Sequence, residues 1–224
     1  MARLWMTVFL VLLLAQGYVA VVDTTTLANL IQRLRQRYSV SGMFSLAVSL
    51  KGGNLAHLEE IFQQNPPDKV EGEILKGRVY RGFRLALAKV GQPEHAELRV
   101  LKDLNLDSIK GDMLVIYSYA SPCPTTCTNI CNRYNIINPI NNLINIGQWS
   151  TYAFVFEKVF NPRDCKKGLK ESELKRALTD LADGSQIKLP DIFRCYKSNN
   201  KAFTCISCSS AGKVTPQCVD YNVY

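Results

Sequence analysis

Near both ends of the chain, apolar residues recur every three or four positions, as they do in helices with one buried face. The first stretch covers 24–38, where Asp23 or Thr24 is a suitable N-cap. The second covers 169–182 and is followed by Gly184, a residue that commonly ends helices. The pattern predicts an amphipathic helix in each place.

Two shorter helices are expected between these. Residues 55–62 have a helical pattern that the prolines at 66 and 67 end. Pro93 favours a helix entry, and the apolar stripe that follows consists of Leu98, Leu101 and Leu104. By contrast, 135–149 is rich in asparagine and is expected to be an irregular loop.

Dense apolar runs alternate with these helices and predict β-strands. The runs cover 44–50, 79–90, 113–119, 151–160 and 187–196. Such alternation is typical of a sheet with helices on both faces. We therefore expect an α/β fold, a three-layer α/β/α arrangement around a mostly parallel five-stranded sheet.

The two ends of the chain differ from this central part. Arg3 and the apolar run from Trp5 to Leu14, followed by small residues up to Ala20, are typical of a signal peptide. An uncleaved N-terminal anchor is the alternative. The expected division is a signal peptide at 1–20, an α/β domain at 21–196 and a cysteine-rich tail at 197–224. The mature protein is then secreted, with no stable membrane association.

Net charge adds little to this picture. The chain carries a formal net charge of +8 at pH 7, which favours polyanionic partners such as nucleic acid. The basic residues are dispersed, however, and ordinary solubility explains them equally well.

Eight cysteines, all in the second half, fit an exported protein with disulfide bonds. Cys123 and Cys127 differ from the others because Pro122 and Pro124 flank the first of them, directly after a predicted central strand. Cys123 stands where a helix N-cap would, so a helix is expected to run to about Tyr134. Two cysteines four apart on one helix are poor disulfide partners. Either a metal site or a framework made only of disulfides remains open at this point.

A second helix start, one predicted strand earlier, carries His95-Ala96-Glu97. Together with Pro122-Cys123 and Cys127, it resembles the H-x-E … P-C-x-x-C signature of the zinc-dependent cytidine deaminase-like superfamily. The order of predicted elements is similar to that family's fold, most closely to its nucleic-acid-editing and bacterial toxin branch. A predicted helix at 169–182 makes the last two strands parallel, as in that branch.

The resemblance implies a zinc cofactor and a role for each motif residue. His95, Cys123 and Cys127 would bind Zn²⁺ and leave a fourth position for water. Glu97 would be the catalytic proton carrier and not a ligand. The reaction would be hydrolytic deamination of cytosine or adenine, in a nucleoside or a single-stranded nucleic acid. The cysteines then left for disulfides are Cys131, Cys165, Cys195, Cys205, Cys208 and Cys218.

This chain departs from the family pattern at two points. Three residues separate Cys123 from Cys127 where the signature has two, although positions i and i+4 of a helix still share a face. The second departure is Ala120, where polynucleotide-editing enzymes often carry tryptophan.

Substrate contacts are expected at the loops around the strand ends. The candidates are Asn54, Ala96, Tyr119, Ser121 and Phe156. Tyr119 and Phe156 could stack on a base, but aromatic residues on central strands also serve as core.

Two functions of different classes follow. The first is a secreted zinc-dependent deaminase. The alternative is a secreted, catalytically inactive protein that keeps the fold for binding or defence. Glu97 discriminates between them, because a binding protein has no need of a carboxylate at that position.

Overall fold

A mixed seven-stranded sheet forms the centre of the protein in this computed structural model, which describes residues 22–162, 168–198 and 201–223. In chain order, the strands are β1 (Phe44–Leu50), β2 (Tyr80–Gly82), β3 (Leu85–Lys89), β4 (Asp112–Ala120), β5 (Trp149–Lys158), β6 (Ile192–Lys197) and β7 (Phe203–Ser207). Across the sheet, they lie in the order β2-β3-β1-β4-β5-β6-β7. A small hairpin of β8 (Ser209–Ser210) and β9 (Lys213–Val214) follows. The helices are α1 (Thr24–Arg37), α2 (Leu58–Gln64), α3 (Pro67–Leu75), α4 (Ala96–Leu101), α5 (Ile137–Ile146) and α6 (Glu171–Gly184).

Helices cover both faces of the sheet, which confirms the α/β class and the three layers. Helices α4, α5 and α6 pack on one face, here called the α4 face. Helices α1, α2 and α3 pack on the other, here called the α1 face. The centre of the sheet is buried on both sides because β1 and β4 contribute alternate residues to each apolar cluster.

Strand number and direction differ from the expectation of five mostly parallel strands. Only β4 with β5 and β5 with β6 pair in parallel, while the other pairs of this sheet are antiparallel. The predicted strand at 79–90 is two strands, because the chain turns at Arg84, where φ is 55°. The seventh strand, β7, comes from the cysteine-rich end and pairs with β6.

The N-terminal helix is as predicted. Helix α1 begins at Thr24, and the Asp23 carboxylate accepts a hydrogen bond of 2.7 Å from the Thr26 N–H. Helix α2 ends before the prolines, as expected. Helix α3, which was not predicted, begins at the second of them, because proline is well accommodated in the first turn of a helix.

The largest error concerns 123–149. The predicted helix after Cys123 is replaced by turns, while the predicted loop contains α5. The Asn129 and Asn132 side chains accept hydrogen bonds from the backbone two residues on, and such turns compete with a helix. The Asn135 side chain accepts from the Asn138 N–H at the start of α5.

Two disulfides stabilise the C-terminal part. Cys195 pairs with Cys205 between β6 and β7, and Cys208 pairs with Cys218 with 5.6 Å between their Cα atoms. Cys131, in contrast, is exposed and forms no bridge with a cysteine that the structure describes. It lies in a surface turn, where its N–H is bonded to Asn129.

Some predictions fall on parts of the chain that the structure does not describe. The signal peptide at 1–20 and Cys165 lie outside the described residues. Within the described ranges, no helix has the length and apolar character needed to cross a bilayer.

Candidate metal centre and active site

The three predicted metal ligands meet at the carboxyl end of β4. His95 immediately precedes α4, and Cys123 follows β4 by three residues. Both cysteines are buried and His95 is partly buried. The donor atoms of all three residues lie within 4.8 Å of one another.

The separations between these atoms suit one small metal ion. Cys127 Sγ lies 3.1 Å from His95 Nδ1 and 3.2 Å from Cys123 Sγ, and Cys123 Sγ lies 3.8 Å from His95 Nδ1. A tetrahedral zinc with ordinary bond lengths needs roughly 3.5–3.8 Å between such donors. One imidazole and two thiols also have the donor chemistry that zinc prefers. The site fits zinc with small side-chain adjustments.

A turn, and not a helix, brings the two cysteines together. The Thr128 N–H donates to the Cys123 carbonyl, and the Cys127 N–H points at Cys123 Sγ over 3.3 Å. The additional residue between the cysteines is therefore accommodated by the turn. The Cys127 N–H favours a thiolate at Cys123.

Hydrogen bonds among the ligands determine their protonation in the metal-free site. The hydrogen bond from Cys127 lowers the pKa of Cys123 to about 3, against the opposing effect of burial. The same bond, with burial, raises the pKa of Cys127 well above its ordinary value. The hydrogen bond with Cys123 raises the pKa of His95. In the absence of metal, the Cys123 thiol is thus more easily deprotonated than the Cys127 thiol.

Glu97 lies in the first turn of α4, close to the ligands. Its carboxyl group is buried, and the Ser118 hydroxyl donates a hydrogen bond of 2.8 Å to its Oε1. Burial raises the pKa of Glu97 above its ordinary value. A carboxyl group in this setting can both accept and return a proton near neutral pH.

His95 and Glu97 share the site because only one of them is helical. Residues two apart on a regular helix point roughly 200° from each other. His95 has an extended backbone, with φ −69° and ψ 159°, and the helix begins at Ala96. The change of backbone conformation turns both side chains towards the same place.

The predicted substrate residues separate into different environments. Ala96 is buried beside His95, and the Ser121 hydroxyl accepts a hydrogen bond from the Phe160 N–H at the end of β5. Phe156 is fully buried on the α4 face as core. Tyr119 packs on the α1 face, away from the ligands.

Asn54 is not at the site. It follows β1, whose end pairs with the start of β4, and β4 runs about 25 Å from there to the ligands. Its side chain instead accepts a hydrogen bond from the Ala56 N–H. Because β1 and β4 are antiparallel, Asn54 lies at the end of the strands opposite the ligands.

Two residues near the ligands were not named individually as candidates. Phe160 follows β5, and its ring centroid lies 6.5 Å from that of His95. Ser118 faces Glu97 from β4. Because β4 and β5 are parallel neighbours, the rule that ligands bind beyond the carboxyl ends of such strands could have indicated Phe160.

Comparison with protein families identifies the chain. The model of the Secreted Novel AID/APOBEC-like Deaminase 1 family matches residues 24–222. The chain belongs to this family. The searches of curated proteins and of solved structures gave no significant match.

Family membership confirms the resemblance to the cytidine deaminase-like superfamily and its nucleic-acid-editing branch. The matched range covers nearly all described elements, including β7 and both disulfides at the C-terminal end. The cysteine-rich segment therefore lies within the family's own extent.

Proposed function

We propose that this protein is a secreted zinc-dependent deaminase of cytosine, or of adenine, in a nucleoside or a single-stranded nucleic acid. The observation that carries the proposal is the convergence of His95, Cys123 and Cys127 with the buried carboxyl of Glu97 beside them. Membership in a deaminase family supports the same reaction class.

The three ligands would hold zinc and leave one position free, as in catalytic zinc sites. Zinc bound there supplies hydroxide at neutral pH. The lowered pKa of Cys123 favours the thiolate form, which is the form that binds metal.

Glu97 would carry the proton. Hydrolytic deamination adds water to C4 of cytosine or C6 of adenine and releases the amino group as ammonia. The Glu97 carboxylate would take one proton from the attacking water and deliver it to the ring nitrogen. It would then take the second proton from the new hydroxyl group and deliver it to the amino group, which leaves as ammonia. Ser118 holds Oε1 of this carboxyl during the transfer.

The base would enter between the ends of β4 and β5. There Ser121 fixes the backbone of Phe160, and the Phe160 ring lies beside His95, which would present an aromatic surface to a base.

The test combines metal content with ammonia release. The purified mature chain is incubated with a panel of nucleosides and of single-stranded DNA and RNA oligonucleotides, beside Glu97→Gln. The wild type is expected to hold one zinc and to release ammonia with at least one substrate. Glu97→Gln should keep the zinc and lose at least about 100-fold in turnover, because general acid–base catalysis supplies 10²- to 10⁴-fold.

Glu94→Gln is the matched control, since Glu94 precedes the motif by one residue and forms an exposed ion pair with Lys102. It should retain full turnover. Equal turnover in Glu97→Gln and the wild type, or a wild type without zinc, would contradict the proposal. Zinc without turnover across the whole panel would support the alternative, a binding protein that keeps the fold.

Secretion is part of the proposal. The apolar run at 5–14 and the word "secreted" in the family's description support it. N-terminal sequencing of the protein collected from the medium of expressing eukaryotic cells should begin shortly after the small residues at 15–20. Retention of Met1 in a membrane fraction would indicate an uncleaved anchor instead.

A further inference from the structure

Beneath Glu97, a second serine hydroxyl lies buried without a partner. Ser45, on β1, is 1% exposed. Its Oγ is buried and makes no hydrogen bond with any residue that the structure describes. A buried hydroxyl without a hydrogen bond destabilises the folded state, so its presence calls for a reason.

The register of the sheet places this hydroxyl next to the Glu97 contact. Ser45 lies directly opposite Ser118 on β4 and opposite Ala88 on β3. Ala88 offers only a methyl group, whereas Ser118 is the residue that donates to Glu97. Both serines point to the α4 face, since Ala47 and Ile116, two residues away from them along their strands, belong to its core.

Residues directly opposite on antiparallel strands have Cβ atoms about 4.5–5.5 Å apart. Rotation of the Ser45 side chain about χ1 between staggered positions therefore brings its Oγ within hydrogen-bond reach of Ser118 Oγ. The Ser118 oxygen has lone pairs to accept this bond while its own proton points at Glu97 Oε1.

We propose that Ser45 is a positioning residue, whose hydroxyl donates to Ser118 and thereby fixes the Ser118 hydroxyl on the Glu97 carboxyl. Each bond in such a chain polarises the next, so Ser118 becomes a better donor. Glu97 has no other side-chain donor among the described residues. Apart from a hydrogen bond from its own backbone N–H, the carboxyl is oriented by this chain, which begins on β1. The consequence for turnover rests on the proposed function, but the hydrogen-bond chain does not.

The first test uses stability, which needs no substrate. Denaturation midpoints are measured for the wild type, Ser45→Ala, Ser118→Ala and the double variant. The proposal expects Ser45→Ala to lower the midpoint when Ser118 is present and to leave it unchanged when Ser118 is alanine. If the hydroxyl is merely unpaired, Ser45→Ala leaves the midpoint unchanged or raises it, and the proposal is overturned.

Ser49→Ala is the matched control on the same strand. Ser49 is buried and is bonded to Arg84 and Asp112, far along β1 from Glu97. Its substitution should lower the midpoint equally with and without Ser118. Equal lowering by Ser45→Ala in both backgrounds would show that Ser45 acts independently of Ser118, against the proposal.

The second test uses turnover and zinc content. Ser45→Ala should keep its zinc and its KM but lose about 10- to 100-fold in kcat, because a small misplacement of a catalytic group costs up to about 10²-fold. Ser45→Thr, which keeps the hydroxyl, should recover most of that loss. Unchanged kcat in Ser45→Ala would contradict the positioning role. A zinc-loaded wild type without turnover would instead refute the proposed function, and the midpoints would still decide the hydrogen-bond chain.

Discussion

At the residue scale, Cys123 and Cys127 differ although both are buried beside His95. Cys123 Sγ lies 3.2 Å from the Cys127 thiol and accepts a hydrogen bond from the Cys127 N–H. The pKa of Cys123 is lowered, and that of Cys127 is raised. Cys131, four residues further on, is exposed and lies outside this network. The structure thus separates the two ligand candidates from the third cysteine of the segment.

Substitution of Cys127 tests this assignment. Cys127→Ser should weaken zinc binding by more than about 100-fold, because loss of an outer-sphere contact alone costs 10- to 100-fold. Cys131→Ser should bind zinc as the wild type does. Zinc affinity is measured by competition with a chromophoric chelator. The reverse order of effects would make Cys131 the third ligand.

At the scale of elements, a buried ion pair connects several segments at the end of the sheet opposite the candidate metal site. Arg84, at the turn between β2 and β3, contacts the Asp112 carboxylate at the start of β4 over 2.5 Å. Asp112 also accepts from the Gly52 and Ile109 N–H groups, and Ser49 of β1 lies beside it. Two strands, the turn between β2 and β3 and two further connecting segments therefore meet at one carboxylate.

This dependence predicts an acid-sensitive contribution to stability. Burial raises the pKa of Asp112, but hydrogen bonds from Ile109, Arg84 and Gly52 outweigh it and hold the pKa below its ordinary value. A lowered pKa in the folded state stabilises the protein above the unfolded pKa of about 3.9, and this is lost as the pH falls through the folded value.

The measurement is the free energy of unfolding from pH 7 to pH 3. Asp112→Asn should lower it by about 3–5 kcal/mol at pH 7, because Arg84 is left buried without its partner. The variant should also lose less than the wild type on acidification. Asp68→Asn, on the exposed side of α3, serves as the control and should follow the wild type. Equal stability of Asp112→Asn and the wild type at pH 7 would refute the prediction.

At the scale of the whole molecule, the C-terminal segment supports the site. The buried Arg194 guanidinium on β6 donates to the carbonyls of Gln217, Asp220 and Val223. These bonds hold Tyr221, whose hydroxyl donates to the Phe160 carbonyl and accepts from the Leu169 N–H. The last residues of the chain are thus connected to the aromatic ring beside His95.

Removal of one oxygen atom tests this connection. Tyr221→Phe should lower the free energy of unfolding by about 1–3 kcal/mol, the value of two hydrogen bonds. Hydrogen exchange of the Leu169 amide should become faster. Tyr152→Phe is the control, since the Tyr152 hydroxyl makes no hydrogen bond with a described residue. If Leu169 exchange is unchanged, the tyrosine does not fix this part of the structure.

The sequence by itself determined the α/β class, several elements and the ligand set. Helix α1, strands β1 and β4 and the alternation of elements follow from apolar periodicity, which is a local property. His95, Cys123, Cys127 and Glu97 were predicted because they match the signature of the family that the chain resembles. Secretion and substrate remain predictions at this level.

Only the tertiary structure decided strand number, strand direction and the faces of the sheet. Strand pairing joins residues that are far apart in sequence. It places Asn54 at the end of the strands opposite the ligands and Tyr119 on the α1 face, away from them. The chain after Cys123 forms turns because asparagine side chains bind its backbone, while α5 is a helix because Ile137, Ile140, Leu143 and Ile144 pack on the sheet. Ser45 and Ser118 meet under Glu97 for the same reason: their register exists only once β1 and β4 are paired.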